Sequence, residues 1–252
     1  MDGRWGWLIA REMSLTIRPK RLVGLMAIVA VLVLGFLWAI PTAIKESLGT
    51  LATEAELSGF FDRHLLLLLT PQTAGLMAPI AAALCARVTA LDYSLGLWAW
   101  HRNHSSPAQA TLAKILVCTF IGWGFVLSAA ILLGGVLLAV GDLMVGSLSD
   151  ILAYGAVNAG IVATWVAAGS LAGVVTRRPG IAVAGVLVAM LVAEPPIRVA
   201  IPITGAWILL APSAVASAAA ETRPLLSAAA LALNAVVLTA VALLTASRRD
   251  LV

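Results

Sequence analysis

Charge is what this 252-residue chain lacks most. Asp, Glu, Lys and Arg make up 11% of it, against about 25% in an ordinary soluble domain. Too little polar surface remains to clothe a water-exposed globule, which excludes a free-standing soluble fold. Lysine is scarcer still. None of Lys20, Lys45 and Lys114 closes a G-x-x-x-x-G-K-[ST] phosphate loop, so the chain carries no ATP-binding motif of this kind. The three histidines, His64, His101 and His104, lie outside every long apolar run. There is no H-E-x-x-H pair and no Gly-x-Ser-x-Gly elbow, so neither a metal-dependent nor a serine-type intramembrane hydrolase is indicated. No metal and no cofactor is expected on this chain, and it is not expected to be an enzyme. Cys85 and Cys118 are the only cysteines. Both fall in apolar segments on separate spans, and that placement gives no support to a disulfide framework.

What is there is hydrocarbon. Apolar residues make up 62% of the chain, and several runs reach the roughly 18–20 residues needed to cross a bilayer core about 30 Å thick. Six spans can be drawn in an all-α integral membrane domain that takes up residues 1–252: 22–44, 71–91, 113–140, 151–176, 181–193 and 225–246. The fifth is short, and it either starts a few residues earlier or runs on past Pro195 and Pro196. Ionisable residues at membrane depth, which ion-coupled pumps need, are nearly absent from these spans. The deep polar residues are neutral, among them Asn158, Thr164, Ser170, Asn234 and Thr239. Asn158 and Asn234 read as hydrogen-bond partners between helices. No span carries the polar stripe that a passive channel requires.

Charge bias sets the orientation. With the N-terminus inside, the inner segments hold twelve of the sixteen basic residues, including Arg4, Arg11, Arg18, Arg102, Lys114, Arg177, Arg178, Arg248 and Arg249. The outer segments hold only Lys45, Arg63, Arg198 and Arg223. Both termini are therefore expected in the cytoplasm of a multi-pass protein of the inner membrane, of a bacterial kind. The net charge of +4 reflects this retention and does not imply nucleic-acid binding.

Two segments outside the spans stand out. In residues 1–21, Trp5, Ile9, Met13 and Ile17 recur every four residues, while Arg4, Arg11 and Arg18 recur every seven on roughly the opposite side. That is an amphipathic helix lying in the inner interface, ended by Pro19, and it does not have the form of a cleavable signal. A basic topogenic leader is the plainer reading. The second segment is the aromatic, basic island at 92–112, which leads into Lys114: "DYSLGLWAWHRNHSSPAQATLAK". As a helix it would put Tyr93, Leu97, Trp100 and His104 on one face and Leu95, Trp98 and Arg102 on another. Trp and Arg are enriched where proteins bind one another tightly. Trp also anchors at headgroup depth without any partner, so an aromatic belt remains open.

The chain as a whole resembles the permease subunits of type-2 ATP-binding-cassette (ABC) exporters. The likeness rests on the order of an amphipathic N-terminal helix, a span, an outer loop, two spans joined by a cytoplasmic loop, and three more spans. It rests also on Asp92, Gly96, Ser105-Ser106-Pro107 and Lys114, in that order, across the loop after the second span. The resemblance implies that 92–112 is a coupling helix docked on an ATPase subunit, with Trp98, Trp100, His101 and Arg102 as contact surface. It further implies a re-entrant outer hairpin at 194–224, where Pro195, Pro196, Pro202, Trp207 and Pro212 punctuate an apolar segment. By the same resemblance, two cassette ATPase subunits would bind ATP and Mg. A second copy or a sister permease would complete the path, and an amphipathic or hydrophobic cargo (peptide antibiotic, drug or lipid-like molecule) would be exported. The competing class is a non-transporting assembly or sensor subunit that docks a soluble partner through the same island.

Overall fold

The computed structural model describes residues 3–16, 24, 27, 31, 77–96, 105–140, 148–193 and 224–249, and no strand occurs among them. Helix α1 is Gly3–Thr16, α2 is 77–94, α3 is Pro107–Val140 and α4 is Leu148–Thr176. Helix α5, Pro179–Val188, continues into a π-helical turn at Ala189–Ala193, and α6 is Pro224–Arg249. Residues 24, 27 and 31 of the first expected span are helical. The rest of 22–44 and the outer segment 194–223 lie outside the described residues, as do 97–104.

Three helical stretches are long and apolar enough to cross a membrane: Pro107–Ala129, Gly155–Thr176 and Ala228–Arg248. These are the helices of a membrane protein, and their outer faces agree. Phe120, Leu127 and Ile131 on α3, and Leu233, Val236 and Leu244 on α6, are exposed. A soluble fold would not leave so much contiguous hydrocarbon outside.

The third helix begins six residues before the expected boundary at 113, and local chemistry explains the difference. Ser106 Oγ accepts from the Gln109 backbone N–H at 3.2 Å, and the Ser106 N–H donates to Gln109 Oε1 at 3.0 Å. This is a reciprocal capping box, with Pro107 at the first helical position. The Ser-Ser-Pro stretch that reads as a break is a helix start. At the other end of the island, Asp92 and Tyr93 still belong to α2. That helix stops at Gly96, whose φ of +68° is the left-handed geometry in which helices commonly end. The connection expected at 92–112 is therefore shorter at both ends.

Small residues set the packing. Gly169 and Gly173 form a G-x-x-x-G pair on α4, and α2 lies directly against it. A Cβ on Gly169 would run into the Ala82 carbonyl oxygen, and one on Gly173 would sit 2.7 Å from that of Ala86. Lipid tails are as apolar as leucine, so association of helices in a bilayer relies on such close van der Waals contact. The matched four-residue steps show that α2 and α4 run parallel. Helix α3 runs opposite to α2, with Gly122 against Ala81 near one end of their contact and Lys114 against Asp92 at the other. Helix α4 touches α2, α3, α5 and α6. Against α6, Gly160 lies under Leu231, and the Thr164 hydroxyl is shared between the carbonyls of Gly160 (2.7 Å) and Leu231 (3.1 Å). Met77, Ile115, Phe125, Val157, Ile161 and Val166 belong to the core between these helices.

Candidate functional site

Deep burial of full charges is rare and costly, which makes Lys114 the centre of the site. It lies two turns into α3 with only 2% of its side chain exposed, and its Nζ is 2.7 Å from Asp92 Oδ2 and 3.1 Å from Glu12 Oε1. Asp92 is contributed by the last turn of α2, and Glu12 by α1. One ammonium thus ties together three segments that are separate in sequence, with both carboxylates buried beside it.

Helix α1 reaches this cluster with Leu8, Glu12 and Thr16, three buried residues at a spacing of four. That strip lies between the basic and apolar sides read from the sequence. Ile9 is half-buried and Met13 is exposed. Arg11 is half-buried, with its guanidinium carbon 5.7 Å from the centre of the Trp7 ring. Arg4 and Trp5 belong to the helix, whereas Ile17 and Arg18 lie outside the described residues. Leu8, which interrupts the polar face in sequence, is buried against the rest of the fold at 4% exposure.

Of the residues that marked the island and its exit, Asp92 and Lys114 are brought together inside the fold and are not on its surface. Tyr93 is half-buried beneath Arg177, whose guanidinium carbon lies 5.2 Å from the ring centre. Arg177 itself has φ +56°, an uncommon left-handed conformation for a residue with a side chain. It forms, with Arg178, the two-residue link from α4 to α5. Gly96 thus closes α2 and Arg177 follows the last residue of α4, and the Tyr93–Arg177 contact joins the ends of these two helices. Trp98, Trp100, His101, Arg102 and His104 lie outside the described residues, as do Pro195, Pro196, Pro202, Trp207 and Pro212.

The neutral polar residues behave unevenly. Asn158, Ser170 and Asn234 are buried. Thr164 makes a bond between α4 and α6, whereas Asn158 Oδ1, Trp165 Nε1 and Ser170 Oγ have no hydrogen-bond partner among the described residues. The described residues hold no group of three or more His, Cys, Asp or Glu side chains able to bind a metal.

Sequence reasoning missed Glu12 altogether. Its signal was present: a lone acid set at i+4 from Leu8 in a chain that spends charge sparingly. It missed the "GSLAG" contact surface at 169–173 as well, although that motif is legible as written. No family model matches the chain, and no curated protein matches it either.

Proposed function

We propose that this chain is the membrane-spanning permease subunit of an ATP-driven ABC exporter. It works with a second copy or a sister permease and with two ATPase subunits that hold ATP and Mg. The cargo is amphipathic or hydrophobic (a peptide antibiotic, a drug or a lipid-like molecule), moved outward across the cytoplasmic membrane with both termini of this chain inside. The observation that carries the reading is the buried Glu12–Lys114–Asp92 cluster. It binds the N-terminal helix to the two helix ends that flank the aromatic, basic stretch at 97–104. A partner that pushes on this stretch would move α1, α2 and α3 as one body. The Gly169 and Gly173 contacts pass that displacement from α2 to α4. Such a lever needs energy from outside the chain, in keeping with a sequence that has no phosphate loop.

Co-purification tests it. The chain is tagged at Val252, extracted from its native host in mild detergent, and its partners are identified by mass spectrometry. A soluble ATPase in near-stoichiometric amount, lost when Trp98 and Trp100 are both replaced by Ala, is the expected result. Recovery of the chain with a non-ATPase partner, or with none, overturns the proposal.

A further inference from the structure

Cys85 on α2 and Cys118 on α3 are both fully buried free thiols in the same apolar core. They belong to one packed cluster of the two facing helices, and the helix register sets them opposite each other. Gly122 packs on Ala81, and Lys114 pairs with Asp92. Four residues along α2 from Ala81 is Cys85, and four residues back along α3 from Gly122 is Cys118. The thiols thus occupy the next rung of the same antiparallel ladder. Ala81 and Gly122 hold the helices close at that rung: a Cβ on Gly122 would lie 2.8 Å from Ala81 Cβ. Bridging two cysteines requires Cβ atoms about 3.8 Å apart, a separation that only such a narrow crossing supplies.

We propose that Cys85 and Cys118 form an oxidant-sensitive dithiol, which a small uncharged hydroperoxide converts into a disulfide joining α2 to α3. The apolar, fully buried setting selects the reagent, since a charged disulfide such as oxidised glutathione has no route in, whereas a lipid-soluble peroxide does. One cysteine sulfur attacks the peroxide: an S–O bond forms, the O–O bond breaks, and an alcohol leaves with the thiol's proton. The second sulfur then attacks the sulfenic acid. An S–S bond forms, the S–O bond breaks, and water leaves with the second thiol's proton. Two thiols and one hydroperoxide give one disulfide, one alcohol and one water. Each sulfur loses one electron, and the peroxide gains two.

The consequence is mechanical. Lys114 is one helical turn from Cys118, so the bridge would brace the α2–α3 crossing directly beside the ion cluster. Thiol reductants would reverse it after the site opens.

The test uses the full chain in detergent micelles, treated with tert-butyl hydroperoxide. Remaining thiols are alkylated with N-ethylmaleimide under denaturing conditions, and trypsin then cuts between the cysteines, at Arg87, Arg102 and Lys114. The expected product is a Cys85 peptide joined to a Cys118 peptide, two hydrogens lighter than their sum, absent after dithiothreitol and absent from Cys85→Ser. Far-UV circular dichroism of Cys85→Ser should match that of the unaltered chain; if it does not, Cys118→Ser serves instead. Full alkylation of both thiols, over-oxidation of one alone, or bridges only between separate chains would each overturn the inference. None of these outcomes involves an ATPase, so they are independent of the exporter reading.

Discussion

Replacing Lys114 with Met removes the ammonium but keeps most of the side chain's length and volume, so the change isolates electrostatics from packing. Two charge-assisted contacts are lost, at 2.7 and 3.1 Å. At about 1.5–3 kcal/mol each, they sum to about 3–6 kcal/mol. Removing one partner of a buried ion pair costs about 3–5 kcal/mol through the charge left behind, and the two routes agree. Against a total stability of about 5–15 kcal/mol, Lys114→Met should forfeit about a fifth or more. Glu12→Gln removes one charge but keeps an oxygen that accepts from Lys114, and it leaves Asp92 in place, so it should cost about 1–3 kcal/mol. The triple variant Glu12→Leu, Asp92→Leu, Lys114→Met removes the charges as a set and should recover most of the loss. Equilibrium unfolding in mixed micelles, followed by tryptophan fluorescence and helical circular dichroism, supplies the free energies. Lys114→Met within about 0.5 kcal/mol of the unaltered protein, the range of an ordinary surface change, would refute the reasoning. So would a Glu12→Gln that costs more than Lys114→Met.

Other changes discriminate among the remaining contacts. Gly169→Val should separate α2 from α4, because the added carbons meet a backbone carbonyl that cannot yield; loss of the folded fraction in detergent is the readout. Gly124→Ala meets nothing within 4 Å, and it should stabilise α3 by roughly 0.5–1 kcal/mol, seen as a raised thermal midpoint. Arg177→Ala keeps the left-handed backbone cost of about 1–2 kcal/mol while losing the Tyr93 contact. Arg177→Gly relieves that cost, so Gly should be the more stable of the two variants by thermal denaturation. Thr164→Val preserves shape but removes the bond to the Leu231 carbonyl, and a loss of about 0.6 kcal/mol in the same unfolding assay is expected. Equal stability of Thr164→Val and the unaltered protein would show that the carbonyl is satisfied without the hydroxyl.

The sequence by itself determined the solvent this chain folds in and where most of its helices lie. Hydrophobic run length is a one-dimensional quantity, and a bilayer reads it directly. The runs expected as the third, fourth and sixth spans hold helices long and apolar enough to cross a membrane, and the fifth holds the shorter helix α5. Ends were less legible where local hydrogen bonding competed with composition. Ser106-Pro107-Ala108-Gln109 looks like a polar break, yet its side chains close a capping box that starts α3. Asp92 and Lys114 could be singled out only as markers of the loop's start and of its exit into the next span, because nothing along the chain shows that Glu12 approaches them. Whether a charge faces water or another charge depends on segments roughly 20 to 100 residues apart meeting in space, and so does whether two cysteines touch. Those meetings were decided by close approach of glycine and alanine faces, Gly169 and Gly173 on Ala82 and Ala86, and Gly122 on Ala81. Hydropathy cannot rank such contacts, because every face of these helices is apolar. Only the tertiary structure chose which apolar face meets which, and with that choice came the partners of Lys114.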